Sequence, residues 1–95
     1  MKDYINFESY LQDQNHTDKT IQQHLLNQTY FDAWAIDKGI GDNCQVNTAT
    51  VLAYVQQMQK RELTVGTINN RLNGLRKYFS HLIDLELIVK NPAKG

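Results

Sequence analysis

Along this chain apolar residues recur at spacings of three and four and almost never alternate, which predicts helices and no sheet. A first helix is expected over residues 3–14, where Tyr4, Phe7 and Leu11 share a face. Asn15-His16 breaks it, and Thr17 is placed to cap a second helix over 18–38, its hydroxyl accepting a free N–H of the first turn. Asp18 adds negative charge at the end where the helix dipole favours it. The apolar side of this helix reads Ile21, Leu25, Phe31, Trp34 and Ala35, and Gly39 and Gly41 end it. After a loop at Asp42–Gln45, Asn47 or Thr48 caps a third helix over 48–60 through Val51, Leu52, Val55 and Met58. A fourth, over 65–83, carries Ile68, Leu72, Leu75, Phe79 and Leu82 in one narrow stripe behind a Thr64 cap. Asn69, Asn70, Asn73, Lys77 and Ser80 fall opposite that stripe, with Arg71 and Arg76 on its two shoulders. The expectation is all-α: one compact four-helix bundle over residues 1–90 with Trp34, Leu72, Leu75 and Phe79 buried together, then an exit segment over 91–95.

Composition narrows the function classes. At 95 residues and 41% hydrophobic the chain makes one small domain. No apolar run approaches the roughly 18 residues that span a membrane, and the polar opening lacks a secretory h-region. The single cysteine, Cys44, has no partner for an internal disulfide, so a reduced, cytoplasmic setting is expected. Formal net charge is zero, yet residues 1–45 hold three bases against seven acids and residues 46–95 hold seven bases against three acids. Lys60, Arg61, Arg71, Arg76 and Lys77 are concentrated in the second half. Such a stripe either follows a phosphate backbone or is an ordinary solvated helix face.

Catalytic patterns are missing. His16, His24 and His81 are scattered with no carboxylate at metal-ligand spacing, so neither a metal nor a cofactor is expected. Ser9 and Ser80 lie in no nucleophile motif, and Cys44 has no obvious basic neighbour to activate it. Trp34 is read as core, given its spacing from Phe31, and His24 as a shoulder residue or a phosphate contact.

Three stretches carry a family resemblance. Thr64–Phe79, TVGTINNRLNGLRKYF, resembles the TINRRLSALRSFF-type helix of tyrosine recombinases. Thr17-Asp18-Lys19-Thr20 with Phe31 and Trp34 is similar to the family's S-x-x-T…F-x-x-W helix. Ile88–Ala93 is similar to the I-x-x-NPA segment that closes the N-terminal domain. His24 departs from the family's usual tyrosine, and Asn70 from a frequent second arginine. The resemblance implies a SAM-like core-binding domain of the phage-integrase type, clamping duplex DNA beside the strand-exchange site during recombination or integration. The implied partners are DNA, the catalytic domain of the same parent chain and other recombinase protomers. It implies no catalytic residue in this chain, since the tyrosines at 4, 10, 30, 54 and 78 do not match the nucleophile motif. On the matching positions the implied DNA contacts are Thr17, Thr20, Thr67, Asn69, Arg71 and Arg76, with Lys19 and Lys77 added on charge and facing, and with Asn70, like Arg71, of a type that reaches base edges. Each has a plain structural alternative: the threonines cap helices with or without DNA, and Arg76 is placed to pair with Asp84 or Glu86. The competing function class is a small helical protein-interaction module.

Overall fold

The computed structural model describes residues 7–93. Four helices follow one another: α1 (Phe7–Asp13), α2 (Asp18–Asp37), α3 (Thr48–Lys60) and α4 (Val65–Asp84), with a short 3-10 turn at Asn43–Gln45. No strand occurs among the described residues, and the all-α bundle expected from the sequence is the fold observed. The expected start of the first helix, with Tyr4, lies outside the described residues.

Side-chain caps explain where the helices begin. Thr17 Oγ1 accepts the Thr20 N–H at 3.2 Å, and Thr64 Oγ1 accepts the Thr67 N–H at 3.2 Å. Asn47, not Thr48, caps α3, in a reciprocal box where its Oδ1 accepts the Thr50 N–H at 2.9 Å. Three helices also end alike. The chain turns left-handed at Gly39, Glu62 and Glu86, and the next N–H reaches back to Ala35 O, Met58 O and Leu82 O respectively.

Packing is organised on α2 against α4, which run antiparallel. Along α2, His24, Asn27 and Tyr30 meet Lys77, Gly74 and Arg71 in reverse order. Gly74 makes the close approach possible, because a Cβ there would stand 2.9 Å from Asn27 Cβ. Asn27, buried at the crossing, donates to the Asn70 carbonyl at 3.1 Å and accepts from Gln23 Nε2 at 3.2 Å. Phe31 is fully buried, edge-on to Tyr54 and Phe79 with centroids at 5.1 and 6.3 Å. At the other end Phe7 meets Tyr78 edge-on at 5.2 Å, and His81 lies against Phe7 and Tyr10. Asn43 secures the α2–α3 connection by donating to Tyr78 Oη at 2.8 Å and Asp32 Oδ1 at 3.3 Å.

Some expectations change in detail. Leu75 and Phe79 are fully buried, but Trp34 and Leu72 are only partly covered and pack on the margin of the core. Leu52, expected on the apolar side of α3, is 56% exposed, because α3 turns Val51, Tyr54 and Met58 inward. Beyond α4 the chain folds back: Pro92 and Ala93 are buried, and Asn91 Nδ2 donates to the Arg76 carbonyl at 3.0 Å.

Candidate nucleic-acid interface

The side of α4 turned away from the core is rich in amides and cations. Asn69, Asn70 and Asn73 are exposed, and Lys77 and Ser80 are half-buried one and two turns further on. Towards the C-terminal half of the helix this face dips into a shallow pocket of about 400 Å³, lined by His24, Asn73, Arg76, Lys77 and Ser80. Lys77 Nζ is steadied by Gln14 Oε1 at 2.7 Å, which directs the ammonium across the α1–α2 turn.

Arg76 is held from two sides. Its Nε donates to the Ala93 carbonyl and its Nη1 to Asn73 Oδ1, both at 2.9 Å. Neither of the carboxylates suggested by the sequence, Asp84 or Glu86, is the partner in these bonds. The reason is the Asn91-Pro92-Ala93 turn, in which Asn91 Oδ1 accepts the Ala93 N–H at 3.0 Å and presents the Ala93 carbonyl to the guanidinium.

Arg71 stands on the other shoulder, five residues and about 140° around α4 from Arg76 at 100° per residue. Its guanidinium carbon lies 4.1 Å from the Tyr30 ring centroid, a cation–π stack. A separate cavity of about 500 Å³ surrounds it, walled by Trp34, Tyr54, Arg61 and others. Burial raises the Tyr54 phenol above its ordinary value, while Arg71 and then Arg61 pull it back by favouring the phenolate.

The remaining candidates divide between the two ends of the helix pair. Thr17 and Lys19 are exposed and Thr20 half-buried at the start of α2, beside the C-terminal half of α4. Thr67 and Asn69 lie at the start of α4, and because the helices are antiparallel they are at the opposite end of a pair roughly 30 Å long. Both threonine pairs are engaged in capping, with hydroxyl oxygens 3.0 Å apart at Thr17–Thr20 and 2.9 Å apart at Thr64–Thr67. Lys19 is five residues, or about 140°, around α2 from His24 and faces away from the pocket. The structure therefore gathers Asn69, Asn70, Arg76 and Lys77 along one face with Thr20 near its far end. Arg71 and Lys19 are set apart from it.

His24, Asn73 and Ser80 line the pocket without matching a motif position. The spacing of Asn73, Arg76, Lys77 and Ser80 at three, four and seven residues was the available signal for the α4 members. His24 completes the pocket only through the α2–α4 crossing. Its imidazole is held below the usual histidine range, first by burial, then by His16 and Lys77. The His16 and His24 rings meet edge to face with centroids 5.6 Å apart.

No group of three metal-ligating side chains, and no helix long and apolar enough to cross a membrane, occurs among the described residues. The comparison with known proteins is more direct. Over 93 residues the chain is 37% identical to tyrosine recombinase XerC of Actinobacillus pleuropneumoniae serotype 7 (strain AP76). This chain is related to the tyrosine recombinases. The alignment takes in 98% of the chain but 29% of that recombinase. Tyrosine recombinase XerC of Xylella fastidiosa (strain 9a5c) is 25% identical over 85 residues, covering 84% of the chain and again 29% of the relative. The chain thus spans under a third of the length of the recombinases it matches. No family model and no solved structure matches it.

Proposed function

We propose that this chain is the SAM-like core-binding domain of a site-specific tyrosine recombinase, and that it holds duplex DNA next to the strand-exchange site. The observation that carries this reading is the α4 face, where Asn69, Asn70, Asn73, Arg76 and Lys77 lie in line behind a rigid core. Cations along such a face neutralise phosphates and fix register, while amide side chains have the donor–acceptor pair that matches an adenine edge. Thr17 and Thr67 sit at helix starts whose free N–H groups add phosphate donors at either end. The reading assigns DNA holding to these residues and strand cleavage to other parts of the recombinase. Its further partners are a catalytic domain closing from the opposite side of the duplex and neighbouring protomers on the same DNA.

Fluorescence anisotropy with a labelled duplex at two salt concentrations tests it. Non-specific binding by the chain alone is expected near 10⁻⁴–10⁻⁶ M, roughly, at physiological salt, weakening steeply as salt rises. Lys77→Ala is expected to weaken binding to all sequences alike and to lower the salt slope by about one. Binding with no salt dependence would sink the proposal.

A second reading, a protein-interaction module, is favoured by the cavity around Arg71. Its Tyr30, Trp34, Tyr54, Arg61 and Arg71 walls have the aromatic and arginine composition of protein-interface hot spots. Arg71→Ala together with Lys77→Ala separates the two readings. Loss of a protein partner in Arg71→Ala, with no salt-dependent duplex binding for Lys77→Ala to weaken, favours the docking site, whereas a Lys77→Ala loss of duplex affinity favours the DNA reading.

A further inference from the structure

We propose that the pocket between His24 and the Asn73–Ser80 stretch of α4 is a backbone-phosphate site whose occupancy is coupled to protonation of His24. This rests on the DNA-binding reading and adds to it a specific subsite and a dependence on pH.

The donors converge on one volume. Arg76 directs two of its five N–H donors at Ala93 and Asn73, and Lys77 directs one of its three at Gln14. Both keep donors for an anion at the pocket they line. Ser80 Oγ accepts from Asn91 Nδ2 at 3.4 Å, which leaves the hydroxyl proton for an acceptor in the pocket. Among the described residues no carboxylate lines this volume. From the described residues an anion entering it meets cations and neutral dipoles.

The histidines give the site its proton dependence. His24 Nδ1 and His16 Nε2 are both closed off from solvent, and neither makes a hydrogen bond among the described residues. The charged groups that face His24 are His16, from the turn before α2, and Lys77 of α4, while Arg76 shares the pocket wall. In the free protein a proton on His24 is opposed by burial and by this positive surround. A phosphate in the pocket reverses the sign of the local field and favours the imidazolium. Since coupling between two ligands is reciprocal, whatever the anion does for the proton, the proton does for the anion. Tyrosine, the usual residue at this position in the motif, does not titrate between pH 5 and 8, so the coupling is a property of this chain's histidine.

The test uses the 95-residue chain, a random-sequence 20-bp duplex and, separately, inorganic phosphate. Duplex affinity is expected to be about tenfold tighter at pH 5.5 than at pH 8, the ratio that one unit of bound-versus-free pKa difference produces. In His24→Tyr this ratio is expected to collapse towards one. In the unmodified chain, which removes any question of misfolding, the NMR titration midpoint of the His24 ring is expected to move up on adding duplex. A matching shift with millimolar inorganic phosphate supports an intrinsic phosphate pocket. A shift with duplex alone supports a site formed against the DNA backbone. Salt-dependent duplex binding of equal strength at both pH values, with a stationary His24 midpoint, overturns the coupling and leaves the DNA reading standing. Absence of salt-dependent binding at either pH overturns both.

Discussion

Gly74 packs directly against Asn27 where α2 crosses α4, and adding one methyl group there tests the packing that builds the candidate interface. Gly74→Ala has two opposing effects. Alanine in a helix interior is favoured over glycine by about 0.5–1 kcal/mol. Against that, the new Cβ would stand 2.9 Å from Asn27 Cβ and 3.2 Å from Asn27 Nδ2. The nearest atom is the root of the Asn27 side chain, attached to its backbone, so the clash is relieved only by moving one helix off the other. Overpacking of this kind costs typically 1–3 kcal/mol. Separation also strains the Asn27 bond to the Asn70 carbonyl at 3.1 Å, a buried contact of about 0.5–1.5 kcal/mol net. The unfavourable terms win by about 1–2 kcal/mol, which lowers the Tm by roughly 4–16 °C for a domain of this size. Gly66→Ala is the control, since nothing lies within 4 Å of a Cβ there and its φ is not left-handed. That substitution is expected to leave the Tm unchanged or raise it. Thermal and urea unfolding followed by helical circular dichroism measure both. A Gly74→Ala protein as stable as the parent would refute the claim that glycine is required at the crossing. Combining Gly74→Ala with Asn27→Gly, which removes the opposing Cβ, is expected to cost less than the sum of the two single substitutions, a non-additive result that assigns the clash to this pair.

Two further outcomes are expected. Asn91→Ala removes the donations to the Arg76 carbonyl and Ser80 Oγ and the acceptance from the Ala93 N–H, so it should cost about 1–2 kcal/mol in urea unfolding. It should also raise hydrogen exchange at the Ala93 amide, whereas a protected Ala93 amide would show that Asn91 does not hold the turn. The second concerns pH: His24 is depressed in the fold by burial, then by His16 and Lys77, so the unfolded chain binds its proton more readily. Its contribution is intact above the unfolded value near 6.5 and is lost as pH falls from about 6.5 through the folded value. Urea midpoints of the DNA-free protein should drop across that interval and drop less in His24→Gln; equal drops in both would remove His24 as the cause.

The parts of the fold legible in the sequence are those decided by local spacing. The α4 stripe of Ile68, Leu72, Leu75, Phe79 and Leu82 fixed a helix face, and the threonines before α2 and α4 cap as their position suggested. Gly39 marked the end of α2, but Glu62 and Glu86 adopt the same left-handed conformation without glycine, and composition gave no sign of it. What stayed hidden depends on partners distant in the chain. Asn27 and Asn43 are buried because Asn70 and Tyr78, 43 and 35 residues away, accept their amide protons or meet their side chains. A polar residue on a helix reads as exposed unless its partner is known. Tyr54 and Tyr78, both buried, are not legible as core for a related reason, since an amphipathic ring is equally at home at the surface.

The candidate site shows the same division more sharply. Helical spacing alone places Arg71 and Arg76 on opposite shoulders of α4, yet a count of bases treats them as one patch. Their partners show how different they are. Arg71 is stacked on Tyr30 and opens onto the α2–α3 side, while Arg76 is tied to Asn73 and Ala93 on the side that carries Lys77. On the proposed DNA-binding reading, a straight duplex lying along the Asn69–Lys77 face would engage Arg76 and Lys77 directly. It meets Arg71 only if it also wraps towards α3, where Arg61 adds a second charge. The ratio of the Arg71→Ala effect to the Lys77→Ala effect on duplex affinity thus reports the path of the DNA. A large Lys77 effect with a negligible Arg71 effect places the duplex along the outer face of α4, and comparable effects place it across the shoulder.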